Sequence, residues 1–400
     1  MAELNTNTTI QEGAGQEINS VEMKEYYDNE LIKNAEPLMV HDRFGQKRSI
    51  PKGSGKTIEF RKLNPFPKAD KALSEGVTPD GKKLDWSKLS ATVNQYGDYV
   101  TVSDMLDLTA IDNNILEATV ILGDQAGRTL DTVTREIING GTNVQYADGS
   151  VNARHELDET HIMTVAAVKK AVNTLKKGLA KKIDGDYVAI IHSNVAYDLM
   201  NDSEWQNVKD YNPKNWYEGE IGRIFGCRFI ETTEAKVFKG EDLTSAFRNL
   251  TVKTALSSPS KTVSVNEAFS AEDAEKLVGR KLLIGQNTYT VTAASNTAQT
   301  ITVDENITVA DATANAKIYP GEAGKEGMDV YSTLFIGADA YGVSEVEGGG
   351  LKTIIKQLGS AGSGDPLDQR ATVGWKAVKT AAILSEPFMV RVETASTLKD

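Results

Sequence analysis

Residues 112–142 read DNNILEATVILGDQAGRTLDTVTREIINGGT. Within them Ile115, Ala118, Leu122, Ala126, Leu130, Val133 and Ile137 recur at spacings of three and four, the period of an amphipathic helix with one apolar stripe. The stretch predicts one long helix. Asp112 or Asn113 is placed to accept from the unpaired amides of its first turn, and Glu117 puts negative charge near the positive end of its dipole. Gly140 and Gly141 can take the left-handed conformation that closes a helix. About thirty residues at about 1.5 Å each make a rod on the order of 40 Å, longer than most helices of a compact enzyme domain. Gly123 and Gly127, four apart, leave a shallow groove where another backbone can approach.

Working outward, a chain of 400 residues is too long for one ordinary core, so two or three domains are expected. Hydrophobic residues at 40% and charged residues at 25% describe a globular protein with enough apolar material for real cores. A net charge of −12 argues against a protein whose main task is gripping phosphates, because nucleic-acid affinity comes largely from Lys and Arg displacing counterions. There is no run of about eighteen apolar residues, so no membrane-spanning helix is expected. The first residues, MAELNTNTTI, have neither the basic region nor the apolar core of a secretory signal.

Residues 1–20 are polar and read as an arm that cannot fold alone. A short helix is expected over 20–34, before Pro37 stops it. Residues 56–61 and 92–103 read as two strands around a lysine-rich, proline-punctuated excursion at 64–88, together an extended hairpin. A second helix is expected over 158–179, with Ile162, Val165, Val168, Val172, Leu175 and Leu179 inward and Lys169, Lys170, Lys176 and Lys177 on a solvated outer face. Residues 187–191 read as a buried strand, Ser193 or Asn194 as the cap of a following helix, and 226–231 as a further strand. From 251 to 320 the texture turns to Thr, Val, Ser and Ala, with strands expected at 261–265, 289–292, 300–303 and 307–309 and a helix at 270–278. Strands at 330–336, 351–357 and 381–393 follow.

Gly53-Ser54-Gly55-Lys56-Thr57 resembles the end of a phosphate-binding loop. That loop needs a glycine at position 50, where Ile50 stands, and a helix afterwards, where 58–61 reads as a strand. A turn into the hairpin is the simpler reading. His41, His155, His161 and His192 show no metal-ligand spacing beside another strong ligand, and His155 and His161 read as solvated helix-start residues. Cys227 stands alone in an apolar strand-like run, a buried hydrophobe rather than a nucleophile. No nucleophile elbow, dinucleotide fingerprint or distinct paired-acid motif is present. No catalytic, cofactor-binding or metal-binding residue is therefore expected, and no cofactor.

Five motifs, LSEGVTP at 73–79, NQYGDYV at 94–100, LGDQA at 122–126, GEIGRI at 219–224 and DPLDQRATVGWK at 365–376, stand in an order that resembles the major capsid proteins of the N-four-like tailed-phage family. Residues 251–320 fall outside the resemblance, and His192-Ser193 stands where that family's pattern has His-Pro. The resemblance implies an α+β fold of the Hong Kong 97 capsid type. It implies an N-terminal arm at 1–40, an extended loop at 41–104, and a peripheral domain with the long spine helix at 105–155. An axial domain at 156–250 and 321–360 would be interrupted by the β-rich insertion at 251–320, with peripheral C-terminal strands at 361–400.

The implied function is structural: a major capsid subunit, without enzyme activity, that self-assembles into the icosahedral shell around a tailed phage's double-stranded DNA. The implied partners are many copies of itself in hexamers and pentamers, scaffolding and portal proteins, and a decoration protein. The DNA would be enclosed without sequence-specific binding, no membrane would be involved, and the place would be the virion after assembly in the host cytoplasm. Shells of this fold typically expand from a precursor, and some crosslink subunits through Lys and Asn; the sequence assigns no such pair. The alternatives are a nanocompartment shell of the same fold around protein cargo, and an enzyme with a β-rich accessory module and a ligand near Lys56.

Overall fold

The computed structural model describes residues 31–398 apart from 32–34, 36–38, 52, 54, 64–65, 67, 69, 71–80, 106–113, 207–221, 241–249, 286, 321, 347–348, 357–366 and 368. The expected arm, the motif at 73–79, the candidate cap at Asp112 or Asn113 and parts of the motifs at 219–224 and 365–376 lie outside the described residues. The chain divides into two compact units, Met1–Thr134 with Tyr341–Leu384 and Arg135–Ala340 with Ser385–Asp400.

The first unit is built on the 14-residue strand Arg370–Ile383. Ala371, Val373, Trp375 and Ala377 alternate along it and are all buried, the period of a strand with one face inward. Asn94–Ser103 pairs antiparallel along one edge of this strand, from Arg370↔Ser103 to Lys379↔Asn94. Along the other edge lie Lys352–Lys356 and Tyr341–Val346, both antiparallel, and Gln46–Ile50 then joins Tyr341–Val346 in parallel. The long helix is observed as Asn114–Asn139, 26 residues. Its Leu122, Ala126 and Leu130 meet Val373, Trp375, Ala377 and Leu31 in one cluster. Each such leucine taken from water contributes about 1.5–3 kcal/mol.

The inward row of the helix does not step to Val133 and Ile137 as expected. It goes on in fours through Thr134 to Ile138, both buried, while Val133 and Ile137 are only half-buried. The cause is polar: Asp131 and Thr134 turn inward onto partners described below. Gly140 and Gly141 also behave differently from the expectation, since neither has a positive φ. The helix closes with Gly140 N–H donating to Ile137 O at 3.1 Å, and a Cβ on Gly141 would come within 2.8 Å of Met389 Cε. The close backbone approach expected at Gly127 is present: a Cβ there would lie 2.6 Å from the carbonyl oxygen of Ala35. Ala35 and Leu31 are both helical and fully buried, and Leu31 falls within the expected helix at 20–34.

Thr57–Leu63 and Trp86–Thr92 form the expected hairpin, a two-stranded ribbon in register from Thr57↔Thr92 to Leu63↔Trp86. Phe60 anchors its base, buried against Gly342, where a Cβ would strike the Phe60 ring at 2.6 Å.

The second unit carries a sheet in the order Val144–Tyr146, Met389–Thr394, Val330–Ile336, Tyr187–Ile191, Cys227–Glu231, Arg223–Ile224, with Val237–Phe238 also on Val330–Ile336. Every residue of Tyr187–Ile191 and of Val330–Ile336 is buried. Val168, Val172 and Leu175 of the helix Val165–Lys177 share a core with Val390 and Val392. That helix is shorter than the expected 158–179. Thr164 caps it, its hydroxyl accepting from Ala167 N at 3.3 Å, and Ile162 instead bridges Ala395. Leu179, expected inward, is 82% exposed with φ of 57° just past the helix end. Lys169, Lys170, Lys176 and Lys177 are exposed as expected. The next helix, Ser193–Asn201, is capped by the ring of His192, which accepts from Asn194 N at 3.2 Å, so neither Ser193 nor Asn194 is the cap.

Residues 251–320 form a five-stranded antiparallel sheet in the order Ser260–Ser264, Thr300–Ile307, Asn287–Ser295, Lys281–Ile284, Ile318–Pro320. Lys281–Ile284 and Ile318–Pro320 were not legible as strands, and the run expected at 307–309 is the end of Thr300–Ile307 and a turn. Ala271–Leu277 is helical, with Ser270 Oγ accepting from Asp273 N at 3.0 Å. Val263, Leu277, Ile284, Val291, Ile301 and Ile307 belong to a core of its own. The chain enters and leaves it side by side, with Thr251 bridging Lys317 and Ile318 N donating to Leu250 O at 2.9 Å.

The Lys352–Lys356 and Tyr341–Val346 strands pair in the first unit, whereas the sequence reading placed 321–360 in the axial part. Met389–Thr394 pairs in the second unit's sheet, whereas 361–400 was expected to be peripheral throughout. The alternating patterns located the strands; only long-range pairing assigns them to a sheet. Replacing Gly127 with Ala is expected to destabilise the subunit by about 1–3 kcal/mol in urea unfolding, the clash with Ala35 outweighing the helix-propensity gain of about 1 kcal/mol.

Candidate functional site

The sequence-predicted chemistry sites resolve into structural roles. Strand Thr57–Leu63 begins directly after Lys56, and Gly53 and Gly55 have φ of 86° and 92°, so this segment is a glycine turn into the hairpin rather than a helix-opening phosphate loop. Cys227 is fully buried, and burial pushes its thiol far up, with Asp186 adding to the effect. His161 Nδ1 lies 2.7 Å from Asp158, and His192 rests on the Tyr331 ring at 4.9 Å. Among the described residues, no three His, Cys, Asp or Glu side chains converge in a way that suits a metal ion.

Two polar constellations organise the first unit. One joins three of the five quoted motifs. Trp375 Nε1 donates to Gln125 Oε1 at 3.2 Å, and Gln125 Nε2 donates to Asp98 Oδ2 at 2.7 Å. That bond, with the Tyr99 amide at 2.8 Å, holds the Asp98 carboxyl below its usual range. The strands carrying Asp98 and Trp375 cross closely because glycine stands on each: a Cβ on Gly97 would be 2.6 Å from Trp375 O, and one on Gly374 would be 2.7 Å from Tyr99 Cβ.

The second constellation is a buried charge network. Lys379 continues the inward row of Arg370–Ile383, so its ammonium is buried. It donates to Asp42 Oδ2 and, at 2.8 Å, to the Leu130 carbonyl. Thr134 Oγ1 donates to the other Asp42 oxygen at 2.6 Å. Asp131, fully buried, accepts from His41 N at 2.8 Å and lies 2.6 Å from His41 Nδ1. Tyr341 donates to His41 O. Burial lowers the Lys379 ammonium from its usual value against the opposing pull of Asp42, and burial raises the Tyr341 hydroxyl, with Asp42 and Asp131 adding. The sequence reading passed over this network. Its one signal was Lys379 at an inward position of an otherwise apolar strand, where a charge needs a buried partner.

The hairpin is the third feature. No further strand pairs with it among the described residues, and Leu84, Trp86 and Leu89 are exposed along it, as is Phe66. A two-stranded ribbon is marginal in water by itself, and clustered exposed apolar groups mark a contact surface.

Comparison with known proteins gives the class. Residues 87–238 match the family model described as phage capsid protein. The chain is similar in structure to the capsid of Ralstonia phage GP4, at 12% identity over 89% of this chain and 88% of that one, with a TM-score of 0.55. It is similarly close to the capsid of Cyanophage P-SCSP1u, at 12% identity over 88% and 87% of the two chains, TM-score 0.52, and to that of Cyanophage Pam1, at 13% identity over 90% and 94%, TM-score 0.52. The fold is the Hong Kong 97-type capsid fold, α+β. A curated relative, the hemoglobinase of Schistosoma mansoni, is 30% identical over 98 residues, which is 24% of this chain and only 20% of that protein.

Replacing Lys379 with Met leaves Asp42 buried without its cation and is expected to cost about 3–5 kcal/mol, part of which Asp42→Asn restores in the double variant, as read by denaturant unfolding. Alkaline stability follows from Tyr341. Its folded pKa lies above its unfolded value near 10, so its contribution is complete below about pH 10 and is lost as pH rises beyond it. Unfolding followed across pH 9–12, on the order of that window, is expected to show a shallower decline in Tyr341→Phe than in the parent.

Proposed function

We infer that the chain is a structural capsid subunit that self-assembles into the icosahedral shell enclosing a tailed phage's double-stranded DNA. The family match over 87–238 and the capsid fold support this, and the observation that carries it furthest is the outlying hairpin with Leu84, Trp86 and Leu89 exposed. Its apolar groups gain shelter from a neighbouring copy, as do Tyr99 on the strand Asn94–Ser103 and Ile121 on the long helix. Several separate surfaces that do not close on themselves generate a shell instead of a dimer. Many modest contacts made together hold a particle while each remains correctable.

The finer reading is an N-four-like major capsid protein with no enzyme activity, assembled in the host cytoplasm into hexamers and pentamers with scaffolding, portal and decoration proteins. Residues 41–104 act as the extended loop over a neighbour, 105–155 as the peripheral spine, 156–250 and 321–360 as the axial part and 251–320 as an inserted module. Among the described residues no helix is long and apolar enough to cross a membrane. A nanocompartment of the same fold is separated from this reading by its contents, protein cargo instead of DNA.

Expression of the full chain is expected to give closed shells, tubes or ring capsomers by electron microscopy and sedimentation; a monomer under every condition overturns the proposal. Trp86→Glu with Leu89→Glu, and separately deletion of 64–83, are expected to leave a folded subunit that makes no shells. Normal particles from both variants would sink the role given to the hairpin.

A further inference from the structure

A cleft of about 700 Å³ opens in the first unit beside the charge network. Its lining holds Arg43, Lys47 and Arg48 against the carboxylate of Glu345, because the other lining acid, Asp42, is already paired with Lys379. This is a cationic place on a chain of net charge −12. Lys47, Arg48 and Ser49 are exposed on Gln46–Ile50, which ends its sheet among the described strands. The hydroxyl of Ser344, also in the lining and 1% exposed, has no hydrogen-bond partner. Met39, Leu130 and Leu351 supply an apolar wall. Such a site fits an extended acidic peptide with intermittent apolar side chains: carboxylates on the cations, one of them accepting from Ser344, and apolar groups on the wall.

The chain contains such a peptide. Residues 1–23 carry Glu3, Glu12, Glu17 and Glu22 and not one Lys or Arg, with Leu4, Ile10, Ile18 and Val21 between them. They are tethered beside the cleft, because Leu31 packs in the same cluster as Leu130, with Met39 and Leu351 against it. Residues 24–30, at about 3.3 Å each when extended, give the peptide a tether of roughly 23 Å. So short a tether sets an effective concentration in the millimolar range, on the order of what favours the chain's own segment over a copy in dilute solution. We propose that residues 1–23 seat in this cleft of the same chain, Glu side chains over Lys47 and Arg48. The inference does not depend on shell assembly.

The test is zero-length carbodiimide coupling on dilute full-length protein, mixed from nitrogen-15-labelled and unlabelled chains, with the products read by peptide mass spectrometry. Amides between Lys47 and Glu12, Glu17 or Glu22 are expected within chains of one label. Lys47→Glu with Arg48→Glu is expected to abolish them and to speed proteolysis of the segment about tenfold, with the melting transition unchanged. Adding Glu12→Lys, Glu17→Lys and Glu22→Lys is expected to restore protection. Couplings found only between labels assign the cleft to a second copy. Coupling at Lys47 no greater than at the exposed Lys176, or unchanged proteolysis in the charge-reversed variant, also overturns the proposal. So does loss of duplex DNA retention as the sole effect of that variant, which makes the cleft a phosphate site.

Discussion

The first unit depends on keeping Lys379 and Asp42 together out of water. An ammonium and a carboxylate removed from solvent each cost several kcal/mol, and their attraction offsets that only when the remaining donors and acceptors are also met. Here they are met by parts of the chain that are remote in sequence: the Leu130 carbonyl and Thr134 hydroxyl on the long helix, with His41 beside Asp42 tied to Asp131 and to Tyr341. A helix sliding along the sheet by one turn would strand two charges. The apolar contacts of Leu122, Ala126 and Leu130 supply the larger share of attraction, yet such contacts tolerate sliding. The ion pair does not, so it sets the register of the helix on the strand.

The same constraint explains what was legible beforehand and what was not. The long helix, the strands at 187–191 and 330–336, the hairpin and the β-rich insertion were readable because local period carries them, three to four residues for Leu122 and Leu130, two for Val373 and Trp375. The turn of the helix face from Val133 to Thr134 was not, because it is decided by Asp42, some 92 residues away in sequence. Lys281–Ile284 was missed because it is four residues long and is recognisable as a strand only through its neighbours. The five motifs suggested a family but not a reason for their spacing. Asp98, Gln125 and Trp375 supply one, since three of the motifs meet in a single chain of hydrogen bonds.

A shell subunit also needs parts that are unfinished in isolation. The two units satisfy their own cores, whereas the hairpin keeps only Phe60 as a buried anchor and leaves Trp86 in solvent. This division of labour separates folding from assembly: one interaction set is complete in the free chain, and the other is completed by neighbours. It also explains why searching for catalytic residues returned only caps, cores and turns.

The inserted module has a further meaning in the way its ends meet. Because Thr251 faces Lys317 and Ile318 bonds to Leu250, the parent domain is presented with two adjoining strand ends, whatever is strung between them. Closing a longer excursion costs entropy only logarithmically, about 0.6 kcal/mol per doubling, and the module's separate core offsets its own ordering. The seam at 250 and 318 is therefore a socket: lineages of this chain can exchange, enlarge or discard what is plugged into it while the subunit beneath keeps its sheet, and variation accumulates there without being felt by the rest of the chain.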